Sequence, residues 1–224
     1  GGFTVSAWVR WTDSSTSFAN LFWLGGAGTG GGSNRYLYMT PRGPGSSYAV
    51  GLKPTNTASE ARAQDSNGAL PTGKWTHVAV VVNPANNTTT LFRDGVAVAG
   101  TNSSATGAAL FQTGAAQTGQ IGRSQFTDPF FGGDIDDFRI YGSALNAGLV
   151  AELADATAPS LTTALDPDAP DGQNGWYVGA VSAKAVAADG QTGIARLEYR
   201  TSSSGEWTVY ESPVRVPDGT TEYD

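Results

Sequence analysis

Residues 73–100, GKWTHVAVVVNPANNTTTLFRDGVAVAG, decide the fold. From Trp75 to Val82 both alternating faces are apolar: His77, Ala79 and Val81 lie on one, Val78, Val80 and Val82 on the other. A strand without a polar face must be covered on both sides, so it belongs at the centre of a sheet. The NPANN loop turns the chain back into Thr88–Arg93, which is rich in β-branched residues. Asp94-Gly95 then supplies the positive φ angles of a tight hairpin turn, and Val96–Ala99 returns alongside. The stretch predicts an antiparallel meander inside a β-sandwich.

Outward from this meander, short strand-like runs continue. Phe3–Thr12 alternates, with Phe3, Val5, Ala7, Val9 and Trp11 on the inner face. Leu21–Leu24, Arg35–Thr40, Tyr48–Leu52, Gly119–Arg123 and Gly133–Tyr141 read as further strands, and residues 53–72 as mostly polar loop. In Gly133–Tyr141 the alternation groups Ile135 with Asp137, Arg139 and Tyr141, against Asp136, Phe138 and Ile140. SALNAGLVAELADA carries one short helix, with Asn146 as N-cap and Leu145 stapled onto Val150. Ala156–Ser160 reads as a linker. Beyond it, Trp176–Ala188, Ile194–Arg200 and Trp207–Val216 read as strands of a smaller domain, and Thr220–Asp224 as the start of a last one. Few connections have room for crossover helices, so the sheets are expected to be antiparallel.

Composition agrees with an all-β chain. The 224 residues allow one large or two ordinary domains, and 30 glycines indicate many turns. A net charge of −7 opposes nucleic-acid binding, which asks for a basic face. The acidity is uneven: residues 1–156 hold 9 basic and 10 acidic side chains, residues 157–224 hold 4 and 10. Without cysteine there is no disulfide and no thiol nucleophile. No apolar run approaches the ~20 residues of a membrane span. The first residues, GGFTVSAWV, already lie inside a strand, which reads as a piece of a longer protein.

Three blocks in order resemble the LamG-like jelly-roll domain of the concanavalin A-like lectin/glucanase superfamily. They are FTVSAWVRWT, then GKWTHVAVVV with TTTLFRDGVAVA, then GDIDDFRIYGSALNAGLVAEL. The family's one or two strands before the first block are absent. Residues 157–224 resemble bacterial Ig-like repeats, through PDGQNGWY, AKAVAADG and TGIARLEYR before GEWTVY. The fold expected is thus an antiparallel jelly-roll β-sandwich over 1–156, followed by a smaller Ig-like β-sandwich over 157–224. The function implied is a non-catalytic carbohydrate-binding or accessory module of a secreted or surface-anchored bacterial glycan-active protein. Its partners would be a polysaccharide or glycan and neighbouring domains of the same chain. A spacer packing on a neighbouring glycoside hydrolase domain is the alternative, and a glucanase-like enzyme a third.

Several residues bear on these readings. Sugars stack their C–H faces on aromatic rings flanked by hydrogen-bonding groups. Trp23, Tyr36, Tyr38 and Tyr48, with Asn34 and Arg35, gather around a Gly-rich stretch and are the candidate ligand contacts. Tyr36 and Tyr38 share a face, while Trp8 and Trp75 read as core. The resemblance implies a structural Ca²⁺, which takes ~6–8 oxygens, with Asp136 first and Asp134 second as ligands. The competing readings of GDIDDF are a glycosidase carboxylate pair, which lacks the superfamily's glutamates, and a solvated edge beside Arg139. Gly26–Gly31 matches GxGxxG but is followed by a strand, not the helix a dinucleotide needs. His77, the single histidine, has no triad or metal cluster around it. DPDAPDG over 166–172 lacks the terminal Glu of a calcium loop. Asn86-Asn87-Thr88 and Asn102-Ser103-Ser104 match the glycosylation sequon.

Overall fold

The computed structural model describes residues 1–26, 35–110, 117–190, 193–202 and 204–219. The chain divides into two compact units, Gly1–Asp155 and Ala156–Asp224. The first holds β1 (Phe3–Trp11), β2 (Phe22–Gly26), β3 (Tyr36–Thr40), β4 (Ala49–Lys53), β5 (Ala61–Gln64), β6 (Trp75–Asn83), β7 (Thr88–Arg93) and β8 (Val96–Thr101). A single-turn helix, α1 (Gly107–Leu110), precedes β9 (Gln117–Ile121), β10 (Gly133–Tyr141) and the helix α2 (Ala147–Leu153). These strands form two five-stranded sheets, ordered β10-β1-β6-β7-β8 and β5-β4-β3-β2-β9. Every ladder is antiparallel, which is the architecture of a jelly-roll β-sandwich.

The strand read as central lies in the middle of the first sheet, between β1 and β7. One face sends Val78, Val80 and Val82 into the main core with Phe3, Val5, Val9, Leu91 and the inner residues of the second sheet. The other face packs Ala79 and Val81 with Phe92 against Val150 of α2. Asn146 caps that helix: its side chain accepts from the Leu149 N–H at 2.9 Å. Asp94 and Gly95 take φ of 48° and 77°, both positive, as the tight hairpin requires. The Asp94 carboxylate also accepts from the His77 N–H at 3.0 Å, tying the turn to β6.

Three expectations are corrected and one is refined: residues 53–72, mostly loop as expected, also hold β5, which pairs with β4. Its sequence ARAQ alternates small and polar residues, too weak a pattern to stand out from the flanking polar chain. In β10, three positions from Asp136 to Arg139 match two from Ser6 to Trp8, and Asp137 takes a φ of 50°. This bulge shifts the alternation, so Ile135 and Phe138 both pack on the core. Trp75 is 39% exposed rather than core. It starts β6 at the end away from Val81, the residue packed beside α2, and its ring lies 5.6 Å from the Arg10 guanidinium. Trp8 is half-buried, edge-on to His77 at 5.4 Å.

In the second unit, β11 (Ser160–Asp166), β12 (Val181–Ala188) and β15 (Val214–Val216) form a sheet ordered β11-β12-β15. A hairpin pairs β13 (Glu198–Tyr199) with β14 (Thr208–Val209). The stretch read as a linker therefore runs directly into a strand at Ser160. None of this unit's described residues is buried. The elements are β, but a closed Ig-like sandwich is not shown. Thr220–Asp224 lies outside the described residues. Among the described residues no helix is long and apolar enough to cross a membrane.

Candidate functional site

The outer face of the second sheet carries a separate aromatic cluster. Period-two alternation sends Phe22, Leu24, Leu37 and Met39 inward and Trp23, Tyr36 and Tyr38 outward. Trp23 lies 4.4 Å from Tyr36 and stacks parallel to Tyr38 at 6.0 Å and 5°. Phe126, on the chain between β9 and β10, stands edge-on to Trp23 at 4.9 Å and 84°. Phe18 packs on the same group from the β1–β2 connection. Beneath Tyr38 the sheet is cut away: it faces Gly51 across the β3–β4 ladder. A Cβ there would come within 2.3 Å of the ring, so glycine is what lets the phenol lie flat.

Glu60, just before β5, fixes the two phenols. Tyr36 donates to one carboxylate oxygen at 2.6 Å and Tyr38 to the other at 3.1 Å. Arg62 pairs with the same carboxylate and keeps 45% of its side chain exposed. Burial, reinforced by the Glu60 charge, holds both tyrosines well above the ordinary phenol pKa. Both remain neutral donors at any physiological pH. The cluster is closed: Trp23, Tyr36 and Tyr38 are 1%, 6% and 4% exposed.

The structure therefore brings together three of the six ligand candidates. Arg35 precedes the outward Tyr36 and donates to the Ala109 carbonyl at 2.8 Å. Tyr48 sits in the main core at 0% exposure, its hydroxyl 3.0 Å from the Phe92 carbonyl oxygen and 3.2 Å from Met39 Sδ. It fills space between the sheets and offers no surface to a ligand. Asn34 lies outside the described residues, as do Ala27–Gly31 of the glycine run. Glu60, Arg62, Phe18 and Phe126 went unread in the sequence. The Glu60-Ala-Arg62 spacing, two charged residues one apart on a strand face, was the available signal. It was hidden because β5 was.

With this geometry in view, the comparisons decide the family. The family described as Concanavalin A-like lectin/glucanases superfamily matches residues 1–151, about two thirds of the chain. The chain belongs to the concanavalin A-like lectin/glucanase superfamily. By sequence, no curated protein matches it. Among solved structures, it is similar to domain 4 of AbnA, a GH43 extracellular arabinanase from Geobacillus stearothermophilus, in complex with arabinotriose. That likeness has 26% identity and a TM-score of 0.52, covering 68% of this chain and 66% of that one. The chain thus spans just under two thirds of that domain's length. The CBM40 of the Ruminococcus gnavus IT-sialidase shares the fold at 19% identity and TM-score 0.54, covering 68% of this chain and 82% of that one. A leech intramolecular trans-sialidase does so at 19% and 0.52, covering all of this chain and 33% of that one.

The carboxylates of β10 in this superfamily member do not fit a calcium site. Asp134 is bound by the Arg10 guanidinium at 2.8 Å, which already neutralises it. An Asp136 oxygen accepts from the Asp137 N–H at 2.8 Å, and Asp137 pairs with Arg139 at 2.7 Å. Among the described residues no three His, Asp or Glu side chains come together to hold an ion. Calcium asks for several converging oxygens, and here a cation and an edge strand stand in their place.

Proposed function

We propose that this chain is a non-catalytic carbohydrate-binding module of a secreted glycan-active protein. In this reading a neutral glycan is received on the outer face of the β5-β4-β3-β2-β9 sheet. The observation that carries the reading is the Trp23–Tyr36–Tyr38 cluster fixed to Glu60 and Arg62 on that face. The likeness to an arabinanase domain solved with arabinotriose supports it. Aromatic faces take the apolar side of a sugar ring, and charged groups at the rim hydrogen-bond its hydroxyls. Phe126 stands where the sugar would lie against Trp23, so binding displaces it.

Glu60 serves as a positioning group. Its two oxygens accept from two phenols and pair with a guanidinium, so it holds the rings in place. Arg62 is neutralised by Glu60, which favours a neutral sugar over an anionic one. The second unit acts as an Ig-like spacer to the next domain.

Isothermal titration with arabinotriose, xylotriose and galactotriose tests the reading. At least one is expected to bind, and Trp23→Ala and Glu60→Gln are each expected to lower its affinity about tenfold or more. Absence of binding to all three, or variants that bind as the parent does, would defeat it.

A further inference from the structure

Two buried polar atoms without partners belong to neighbouring residues on the outer face of the second sheet. Trp23 Nε1 and Gln120 Oε1 are both shut off from water and neither has a hydrogen-bond partner. Their residues are directly opposite on β2 and β9. Opposite residues of an antiparallel ladder project to the same side with Cβ atoms about 5 Å apart. One atom is a donor, the other an acceptor. Leaving two such groups unpaired in the interior is costly, and native proteins seldom do it without a role for them.

A hydroxyl matches the pair. A hydroxyl placed between them would accept from the indole N–H through its oxygen and donate its hydrogen to the amide oxygen, one small group serving both. A carboxylate could accept from Trp23 but would repel Gln120 Oε1, and a cation would do the reverse. We propose that the Trp23–Gln120 row is a hydroxyl-binding subsite that holds one sugar OH of the bound glycan once the glycan has displaced Phe126 from the closed cluster. The inference rests on the carbohydrate-binding reading above and adds the positions that recognise the hydroxyl. Its consequence is selectivity: a sugar lacking that hydroxyl leaves both groups unpaired in the complex, which binding sites of this kind reject strongly.

The decisive variant is Gln120→Leu, which keeps the shape and removes the acceptor. In the free protein it deletes an unsatisfied buried oxygen, so the melting temperature is expected to hold or rise. In the complex it strands the hydroxyl, so affinity is expected to fall about tenfold or more. A merely structural glutamine would instead lower the melting temperature and leave affinity alone. The measurement is titration of the full chain and of Gln120→Leu with arabinotriose, xylotriose and galactotriose, beside thermal unfolding of both. If the parent binds one of them and Gln120→Leu binds it equally, the pair holds a structural water and this inference falls alone. If the parent binds none, it falls together with the reading beneath it.

Discussion

His77 is 2% exposed, and its Nδ1 is buried without a partner. Burial pushes its pKa down from 6.5 to about 4, against the opposing pull of the Asp94 and Asp137 charges. The unfolded chain takes up a proton near pH 6.5 that the folded chain refuses until about 4. This residue's contribution to stability is therefore complete above pH 6.5 and is lost progressively as the pH falls towards 4. At about 1.4 kcal/mol per pKa unit the loss is on the order of 3 kcal/mol. Urea unfolding of the parent and of His77→Leu across that range checks it, and the variant is expected to show a flatter profile. A profile equally steep in both would assign the acid sensitivity to carboxylates elsewhere. The sequence showed a lone histidine on a strand face, which reads as a core or sheet-face residue. The depth of its burial owes much to Trp8, whose ring stands against it from a strand remote in the chain.

At the scale of elements, β3 and β4 meet through Gly51. Its missing Cβ is the space that Tyr38 occupies, and through Tyr38 it also reaches Glu60. Gly51→Ala is expected to push the ring aside and cost about 2 kcal/mol, the ordinary range for overpacking a filled site. Chemical denaturation reads the loss, and near-ultraviolet dichroism is expected to change as the Trp23–Tyr38 stack breaks. Helix α2 is a second case. It is seven residues long and contains Gly148, so it would be marginal alone. Its Asn146 cap and the packing of Val150 on β6 hold it. Asn146→Ala is expected to cost about 1 kcal/mol, measured the same way. The capping residue, the hairpin at Asp94-Gly95 and the bounds of β10 were all legible, because each depends on residues close in sequence. The bulge at Asp136-Asp137 was not. Nothing in GDIDDF marks an extra residue until β1 is laid beside it and Phe138 is drawn towards Phe22, 5.8 Å away.

The whole molecule joins two units of unlike construction. The first encloses a core from both sheets, with Val80, Val82, Leu37 and Leu52 all at 0% exposure. The second leaves Leu161, Val186, Trp176 and Val178 from 61% to 78% exposed. Local stability follows buried apolar contact, so hydrogen exchange on the full chain should separate them. Amides of β11 and β12 are expected to exchange about 100-fold faster, or more, than those of β6. Equal protection would mean that the second unit is buttressed by contacts beyond its own strands. By itself the sequence determined the all-β class, the central strand, the hairpin, the short helix and the shared face of Tyr36 and Tyr38. Those follow from periodicity and turn chemistry, which act over a few neighbours. Only the tertiary structure decided that Tyr48 belongs to the core while Trp23, Tyr36 and Tyr38 form one cluster, that Glu60 binds its two phenols, and that Trp23 and Gln120 stand opposite each other unpaired. Those facts depend on which strands lie beside one another, and the energies that choose the pairing are summed over contacts far apart in the chain.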